Sequence, residues 1–407
     1  MPTNLIPVAD ALARVIGAIP LLPAEQVPVA EALGRVVAET VVSRRTQPPA
    51  NVSAMDGYAV RVADVKEVPT TLTRIGESAA GSAYGGSVRA GGAVRIFTGA
   101  PVPAGADCII IQEDTEADGD RVIVKEAGRP GRHIRLAGLD FRDGDVGIEA
   151  GTLLTARHLA LAAAMNRPWL AVRQRPRVAI LATGDEIVMP GDPIGESQIV
   201  SSNSLALAAV VSACGAEPIV LGIAPDDADT LGAMAEGATG NDMLVTTGGV
   251  SVGDHDLVAK VLGEQGLNID FWRIAMRPGK PLLFGNLLGT PFLGLPGNPV
   301  SALVCALVFL RPSLIAMQGM TATDDFRQAR LTAPLRANDQ RQDYLRAKLR
   351  HGKDGALKVE AFTVQDSSML SALADADALI LRPPHAPAAE AGDMVDVLMF
   401  PGGMVTF

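Results

Sequence analysis

The stretch DMLVTTGGVSVGDHD, residues 242–256, runs from a buried β-branched strand into a glycine-rich turn crowded with polar side chains. Residues 242–247 read as the strand, and 256–265 have the apolar spacing of a helix. The same grammar recurs on either side. RVAILAT (177–183) is a buried strand ending in Thr183-Gly184-Asp185-Glu186, and 202–214 is a helix stopped by Gly215. Residues 218–222, 271–276, 282–284 and 292–295 read as strands, 227–238 as a helix, and 300–317 as a long apolar helix. Strands alternating with helices predict a parallel, doubly wound sheet in three α/β/α layers, with its ligand site at the carboxyl ends of the strands.

The flanking sequence obeys other rules. Residues 5–19 and 155–165 have the period of amphipathic helices, and a pairing of the two would make the β-rich stretch between them an insertion. That stretch has short β-branched runs at 95–97, 108–112 and 121–125, with turns at Asp118-Gly119 and Asp143-Gly144. Residues 76–92 hold six glycines and few apolar anchors, the composition of a mobile loop. After residue 321, five short strands (330–335, 344–349, 358–362, 378–381, 393–399) predict a small β-barrel. The expected division is 1–26 plus 145–176 (an elongated helical linker domain), 27–144 (β-rich), 177–320 (α/β/α) and 321–407 (barrel).

Composition bounds the function. Of 407 residues, 48% are hydrophobic and 20% charged, ordinary for globular domains. The net charge is −10, which repels phosphate backbones and disfavours a nucleic-acid partner. Cys108, Cys214 and Cys305 show no CxxC or CxxH spacing, the pattern of buried thiols in a reducing cytosol. The N-terminus lacks signal-peptide grammar, and the longest apolar run, 299–310, is shorter than the ~20 residues that span a bilayer. A cytoplasmic protein with no membrane partner is expected.

Three predicted strand ends carry the chemistry. Thr183-Gly184-Asp185-Glu186, Pro225-Asp226-Asp227 and the turn after Thr247 lie side by side in such a sheet, and Pro296-Gly297-Asn298-Pro299 joins the last strand to the long helix. Glycine-rich βα turns expose N–H groups to anions, usually phosphate. Glu186, Asp226 and Asp256 offer the hard oxygen ligands that Mg²⁺ takes, although acidic residues at helix starts equally serve as caps. Arg273 and Arg277 would share one face of an extended strand, with Lys280 beyond, a basic cluster suited to an oxyanion or equally a solvated edge. No Walker loop or GxGxxG is present. Gly249-Val250-Ser251-Val252-Gly253 matches a nucleophile elbow, but no oxyanion loop precedes it, and His351 and His385 fall outside the α/β sheet.

Six motifs stand in an order that resembles the MoeA family of molybdopterin molybdenumtransferases, which includes the E domain of gephyrin. They are Ser53 to Ala59 (SAMDGYA), Thr98 to Pro103 (TGAPVP), Thr183 to Glu186 (TGDE), Gly248 to Gly253 (GGVSVG), Pro278 to Pro281 (PGKP) and Pro296 to Ser301 (PGNPVS). The resemblance implies a MoeA/MogA-like central domain and a homodimer whose active site lies between the α/β domain of one subunit and the β-rich module of the other. It implies insertion of molybdenum from molybdate into adenylylated molybdopterin, releasing AMP and active cofactor, with Mg²⁺ required. Molybdopterin adenylyltransferase and the maturation proteins of molybdenum enzymes are the implied protein partners. The implied functional positions are Asp56, Thr98, Asp140, Glu186, Asp226, Asp256, Arg273, Arg277, Arg346 and Ser367. Gly248, Gly249, Ser251, Gly253, Lys280, Pro296, Gly297 and Asn298 would bind the cofactor precursor, and Glu186, Asp226 and Asp256 the metal. Two departures stand out. Arginine replaces the usual lysine at 273 and 277, and the usual Gln-Gly-Ser reads Gln365-Asp366-Ser367. The central domain also resembles the adenylyltransferase of the preceding step. Besides that activity, a non-catalytic cofactor-binding scaffold and a serine hydrolase are the competing expectations.

Overall fold

The computed structural model describes residues 5–249, 257–321 and 325–400. Its centre is a six-stranded sheet in the order Glu217–Ala224, Arg177–Thr183, Met243–Thr247, Thr290–Leu295, Leu283–Leu287, Leu267–Phe271. The first four strands are parallel, as expected; Leu283–Leu287 runs opposite to them and pairs antiparallel with both Thr290–Leu295 and Leu267–Phe271, so the sheet is mixed. Alternation along the Arg177–Thr183 strand serves both faces. Val178 and Ile180 pack with Leu207, Val211, Phe309 and Leu314, while Ala179 and Leu181 pack with Leu231, Ala235, Val258 and Leu262. Helices thus cover both sides and leave the strand ends for function.

The long helix runs from Pro299 to Met317, beyond the expected apolar run. Its middle, Ala306–Leu310, widens into a π-helix. Pro312 has no N–H for the carbonyl a turn back and its ring crowds that turn; the Ser313 hydroxyl donates to the Phe309 carbonyl at 2.7 Å. By length and hydropathy (mean 2.1) this helix could cross a membrane, but most of it is buried inside the protein, so it is a core helix.

Residues 326–399 close into a five-stranded barrel. Gln342–His351 pairs with both Leu357–Ala361 and Ala378–Arg382, and Phe326–Leu331 joins Leu357–Ala361 to Met394–Met399, which returns to Ala378–Arg382. All five expected strands are present, the first displaced to Phe326–Leu331 from the expected 330–335. The strand expected at 271–276 is displaced too: it is Leu267–Phe271, and Met276–Arg277 leaves the central sheet to pair with Gln342 and Asp343 of the barrel. Arg273 and Arg277 therefore do not share a strand face.

The β-rich module is a six-stranded sheet, Cys108–Ile111, Gly57–Val60, Gly92–Ile96, Thr70–Ser78, Arg121–Val124, Thr115–Asp118. The stretch read as a mobile loop begins as strand through Ser78, and Val88 within it is buried. Tyr84 explains two of its glycines: a Cβ at Gly76 or Gly86 would strike the ring, at 2.3 and 2.7 Å. The helix Val8–Ala18 packs into the central core through Val8, Ala11 and Val15. Helix Ala156–Ala164, capped by Thr155 and His158, belongs to a separate core with Val27, Leu154 and Leu170. The two helices do not share a core. Cys108 and Cys305 are buried; Cys214 is only half-buried, and all three are free thiols.

Candidate functional site

The carboxyl ends of the parallel strands open into a cleft of about 580 Å³. Its floor is Ala182, Thr247 and Gly248; Pro296, Gly297, Asn298 and Pro299 form one wall. Gly248 (φ +90°) turns the chain out of the sheet, where a Cβ would lie 2.4 Å from the Thr183 carbonyl oxygen. Only glycine lets the turn lie that close to the neighbouring strand. The opposite wall was not anticipated. Ile187, Ile199, Val200, Ser201, Ser202 and Asn203 reach the cleft through the segment that precedes the helix Asn203–Ala213. The run Ser201-Ser202-Asn203-Ser204 ahead of an apolar helix was the signal for it. Asn203 ties the cleft together: its Nδ2 donates to Thr247 Oγ1 and to the Gly297 carbonyl, both at 2.8 Å.

The acidic residues divide by role. Asp227 is the helix cap, accepting from the Thr230 N–H at 2.8 Å and its hydroxyl at 2.7 Å. Asp226 is not: its N–H donates to Asp185 Oδ1 at 2.9 Å, and its own carboxylate faces Asp185 and Glu186. Burial, and then those two negative charges, push the Asp226 carboxyl above its ordinary range. Glu186 lies at the cleft, its carboxylate folded over Gly184, where a Cβ would come within 2.4 Å of Oε2. Ser251, Gly253 and Asp256 lie outside the described residues. Among the described residues no three His, Cys, Asp or Glu side chains form a closed metal cluster.

The barrel contributes a loop. Asn298 Nδ2 donates to Ser367 Oγ at 2.9 Å, and the Val300 N–H donates to the Ser367 carbonyl at 3.1 Å, fastening barrel to strand end. Ser368, the next residue, lines the cleft. Arg346 holds this loop from behind. It is 2% exposed, with Nη1 on the Met369 carbonyl at 3.1 Å and Nε on Gln365 Oε1 at 3.2 Å. Asp366, the departure from the family pattern, turns away from Asn298 and accepts from the Ser368 N–H and hydroxyl at 2.8 and 2.6 Å. Those bonds hold its carboxyl below the ordinary range.

The three basic residues are not in the cleft lining. Arg277 is engaged with the barrel: Nε donates to Asp343 Oδ1 at 2.8 Å and Nη2 to Asn338 Oδ1 at 3.2 Å. Lys280 is exposed, and Arg273 is half-buried in the connection after the Leu267–Phe271 strand. Asp56 and Thr98 form a unit of their own in the β-rich module. The Thr98 N–H and hydroxyl donate to Asp56 Oδ1 at 2.7 and 2.8 Å, which keeps that carboxyl below its ordinary range. Arg95 lies over the rings of Tyr58 and Phe97, at 5.3 and 4.9 Å. Asp140 is exposed, and neither it nor Asp56 nor Thr98 lines this chain's own cleft.

Comparison with known proteins covers nearly the whole chain. Residues 6–166 match the MoeA N-terminal region (domains I and II), 179–316 a probable molybdopterin binding domain, and 328–400 the MoeA C-terminal region (domain IV). A molybdopterin molybdenumtransferase of Nostoc sp. is 38% identical over 360 residues, 86% of this chain and 82% of that protein. One of Haemophilus influenzae is 34% identical over 367 residues, 89% and 90% of the two chains. The crystal structure of a molybdopterin biosynthesis MoeA protein from Pyrococcus horikoshii superposes with a TM-score of 0.86 at 31% identity, covering 98% of this chain and all of that one.

Proposed function

The chain belongs to the MoeA family of molybdopterin molybdenumtransferases, and on that premise we propose that it inserts molybdenum from molybdate into adenylylated molybdopterin, releasing AMP. The observation that carries the proposal is the join between the two matched regions. The cleft of the probable molybdopterin binding domain is completed by the barrel, through Ser368 and the Asn298–Ser367 bond.

The residues divide the work. Thr247, Gly248, Gly297 and Asn298 form the floor and wall that receive the substrate. Arg346 is a positioning residue: it touches no cleft atom but fixes the loop that brings Ser367 and Ser368 to the strand ends. Mg²⁺ is commonly held by one or two carboxylates together with substrate phosphates. Asp226, crowded by Asp185 and Glu186, fits that mode, with Asp256 beyond the described residues as a further ligand. Such a cation would offset negative charge on the pyrophosphate of the substrate. Asp56 and Thr98 have no role at the cleft of their own chain, which supports a site shared between two copies in a homodimer.

AMP release from adenylylated molybdopterin by the purified protein tests this, measured with and without molybdate and Mg²⁺. Release that needs both supports the proposal. Absence of release by a folded protein, or nucleotide transfer from ATP to molybdopterin, overturns it. Mixed dimers of Asp56→Ala and Asp256→Ala subunits test the shared site: one intact site per dimer restores activity, and no recovery refutes sharing.

A further inference from the structure

The outer face of the barrel carries a row of like charges. The ladders set Lys358 between two arginines, opposite Arg330 on one neighbouring strand and Arg350 on the other. The residues beside them, Ala329, Leu331, Leu349 and Val359, belong to the barrel core, so the alternation of each strand turns all three cations outward. Like charges directly opposite one another destabilise a sheet. The chain has a net charge of −10, so no general excess of cations accounts for the row.

The row is also unpaired. Among the described residues no carboxylate forms an ion pair with Arg330, Arg350 or Lys358, and Arg330 only donates to the Gly392 carbonyl, at 3.2 Å. The acidic groups nearby have other positions. Asp354 Oδ1 accepts from the Ala356 N–H within the turn, at 3.3 Å. Glu360 stands opposite Lys348 in the next row, and the Lys348 ammonium lies 2.9 Å from Asp375 Oδ1. Arg350, Lys353 and Lys358, with Thr332, Lys348 and His351, line an open cavity of about 550 Å³. The Lys358 stem crosses Gly352, where a Cβ would lie 2.7 Å from its Cε, so the turn is shaped to let that lysine lie over it.

We propose that this face docks the acidic surface of a partner protein, one that presents carboxylates at helical spacing. Neighbouring strands are ~5 Å apart, so the three cations form a line of ~10 Å. Acidic side chains three and four apart on a helix are about 5–6 Å from one another and match that line. A compact polyphosphate would crowd its charge against one or two of the three cations and face Glu360 and Asp354 as well. A long nucleic acid would meet the negative charge of the rest of the chain. None of these residues lines the cleft at the strand ends, so docking here leaves that cleft open.

The probes are a fluorescein-labelled alanine-based helical peptide with Glu along one face, its Gln counterpart, and inorganic tripolyphosphate. Binding to the full-length protein at low salt is read by anisotropy. Wild type is expected to bind the Glu peptide at least about tenfold more tightly than the Gln peptide, and added salt should weaken it. Lys358→Glu should weaken binding of the Glu peptide at least about tenfold, and Arg350→Gln about threefold or more. Lys66→Glu makes the same charge change at an exposed site of the β-rich module and should cost no more than about twofold. Lys358→Glu also gives the row alternating signs, so its urea midpoint should rise, with AMP release unchanged. Unweakened peptide binding in both Lys358→Glu and Arg350→Gln overturns the proposal. An equal loss in Lys66→Glu overturns it too, since net charge alone would then explain the binding. Tripolyphosphate bound more tightly than the peptide, and lost in Lys358→Glu, would make this a phosphate site instead. A lowered urea midpoint in Lys358→Glu would refute the like-charge repulsion from which the argument starts.

Discussion

Replacing Gly248 by alanine separates two costs that usually arrive together. Gly248 sits at φ +90°, and its added Cβ would lie 2.4 Å from the Thr183 carbonyl oxygen and 3.2 Å from Thr183 Oγ1. Gly240, in the same domain, has a similar φ of +80° but nothing within 4 Å of its would-be Cβ. Gly240→Ala therefore pays for backbone conformation alone, about 1–2 kcal/mol. Gly248→Ala carries the same term plus overpacking against main chain that cannot rotate away, a further 1–3 kcal/mol or so. Thr183 ends the strand that pairs with Met243–Thr247 through Ala182 and Thr247, so relief of the clash must part the two strands at the floor of the cleft. The assay is urea unfolding followed by Trp272, which packs against the core of the central domain, in a Trp169→Phe background that removes the other tryptophan. The midpoint of Gly248→Ala should fall by roughly twice that of Gly240→Ala with an unchanged slope, and only Gly248→Ala should lose AMP release. Equal midpoints, or a Gly248→Ala protein that is fully active, would refute the reasoning that contact with Thr183 makes glycine obligatory.

Three further outcomes follow from the site. Asp226 titrates above the ordinary aspartate value of 3.8, so protons should compete with Mg²⁺ from a higher pH than at an ordinary carboxylate. The half-saturating Mg²⁺ concentration should rise as the pH falls through the mildly acidic range, and Asp226→Asn should flatten that dependence; an identical pH profile in the variant excludes Asp226 as a ligand. Thr98→Val removes a hydroxyl donor from Asp56 while the Thr98 backbone N–H remains. NMR titration should show the Asp56 carboxyl moving up toward its ordinary value, and AMP release should fall at unchanged melting temperature; since a depressed carboxyl favours the folded state at neutral pH and loses that effect only as pH falls through its folded value, any stability difference belongs to acid pH. Arg346→Met deletes two charge-assisted bonds to the Ser367 loop but also relieves a buried guanidinium, a net cost of about 2 kcal/mol. It should lower AMP release through loss of loop order, visible as faster amide exchange at residues 365–369; unaltered exchange would show that the loop is held without the Arg346 guanidinium.

How much of this was legible depended on whether a signal was local. The central sheet and barrel could be read because each strand carries its own period and each turn its own glycine. The antiparallel pair at the sheet edge could not. Leu283–Leu287 begins as a buried run like its parallel neighbours, and direction depends on the connection between strands, not on the run itself; Leu267–Phe271 has exposed Asn268 and Asp270 between its buried ends and reads poorly as a core strand. The basic cluster failed for a related reason. Arg273 and Arg277 are four apart, but the chain leaves one sheet after Phe271 and enters the barrel at Met276, so their spacing describes no common strand. At the cleft, motif reading found the glycines and missed Asn203, whose meaning lies in Thr247 and Gly297, 44 and 94 residues away. It also gave the glycine-rich turns a phosphate, and a turn rich in N–H groups can serve close packing as well as an anion. Gly248 shows this, held against the Thr183 carbonyl at a distance no side chain tolerates.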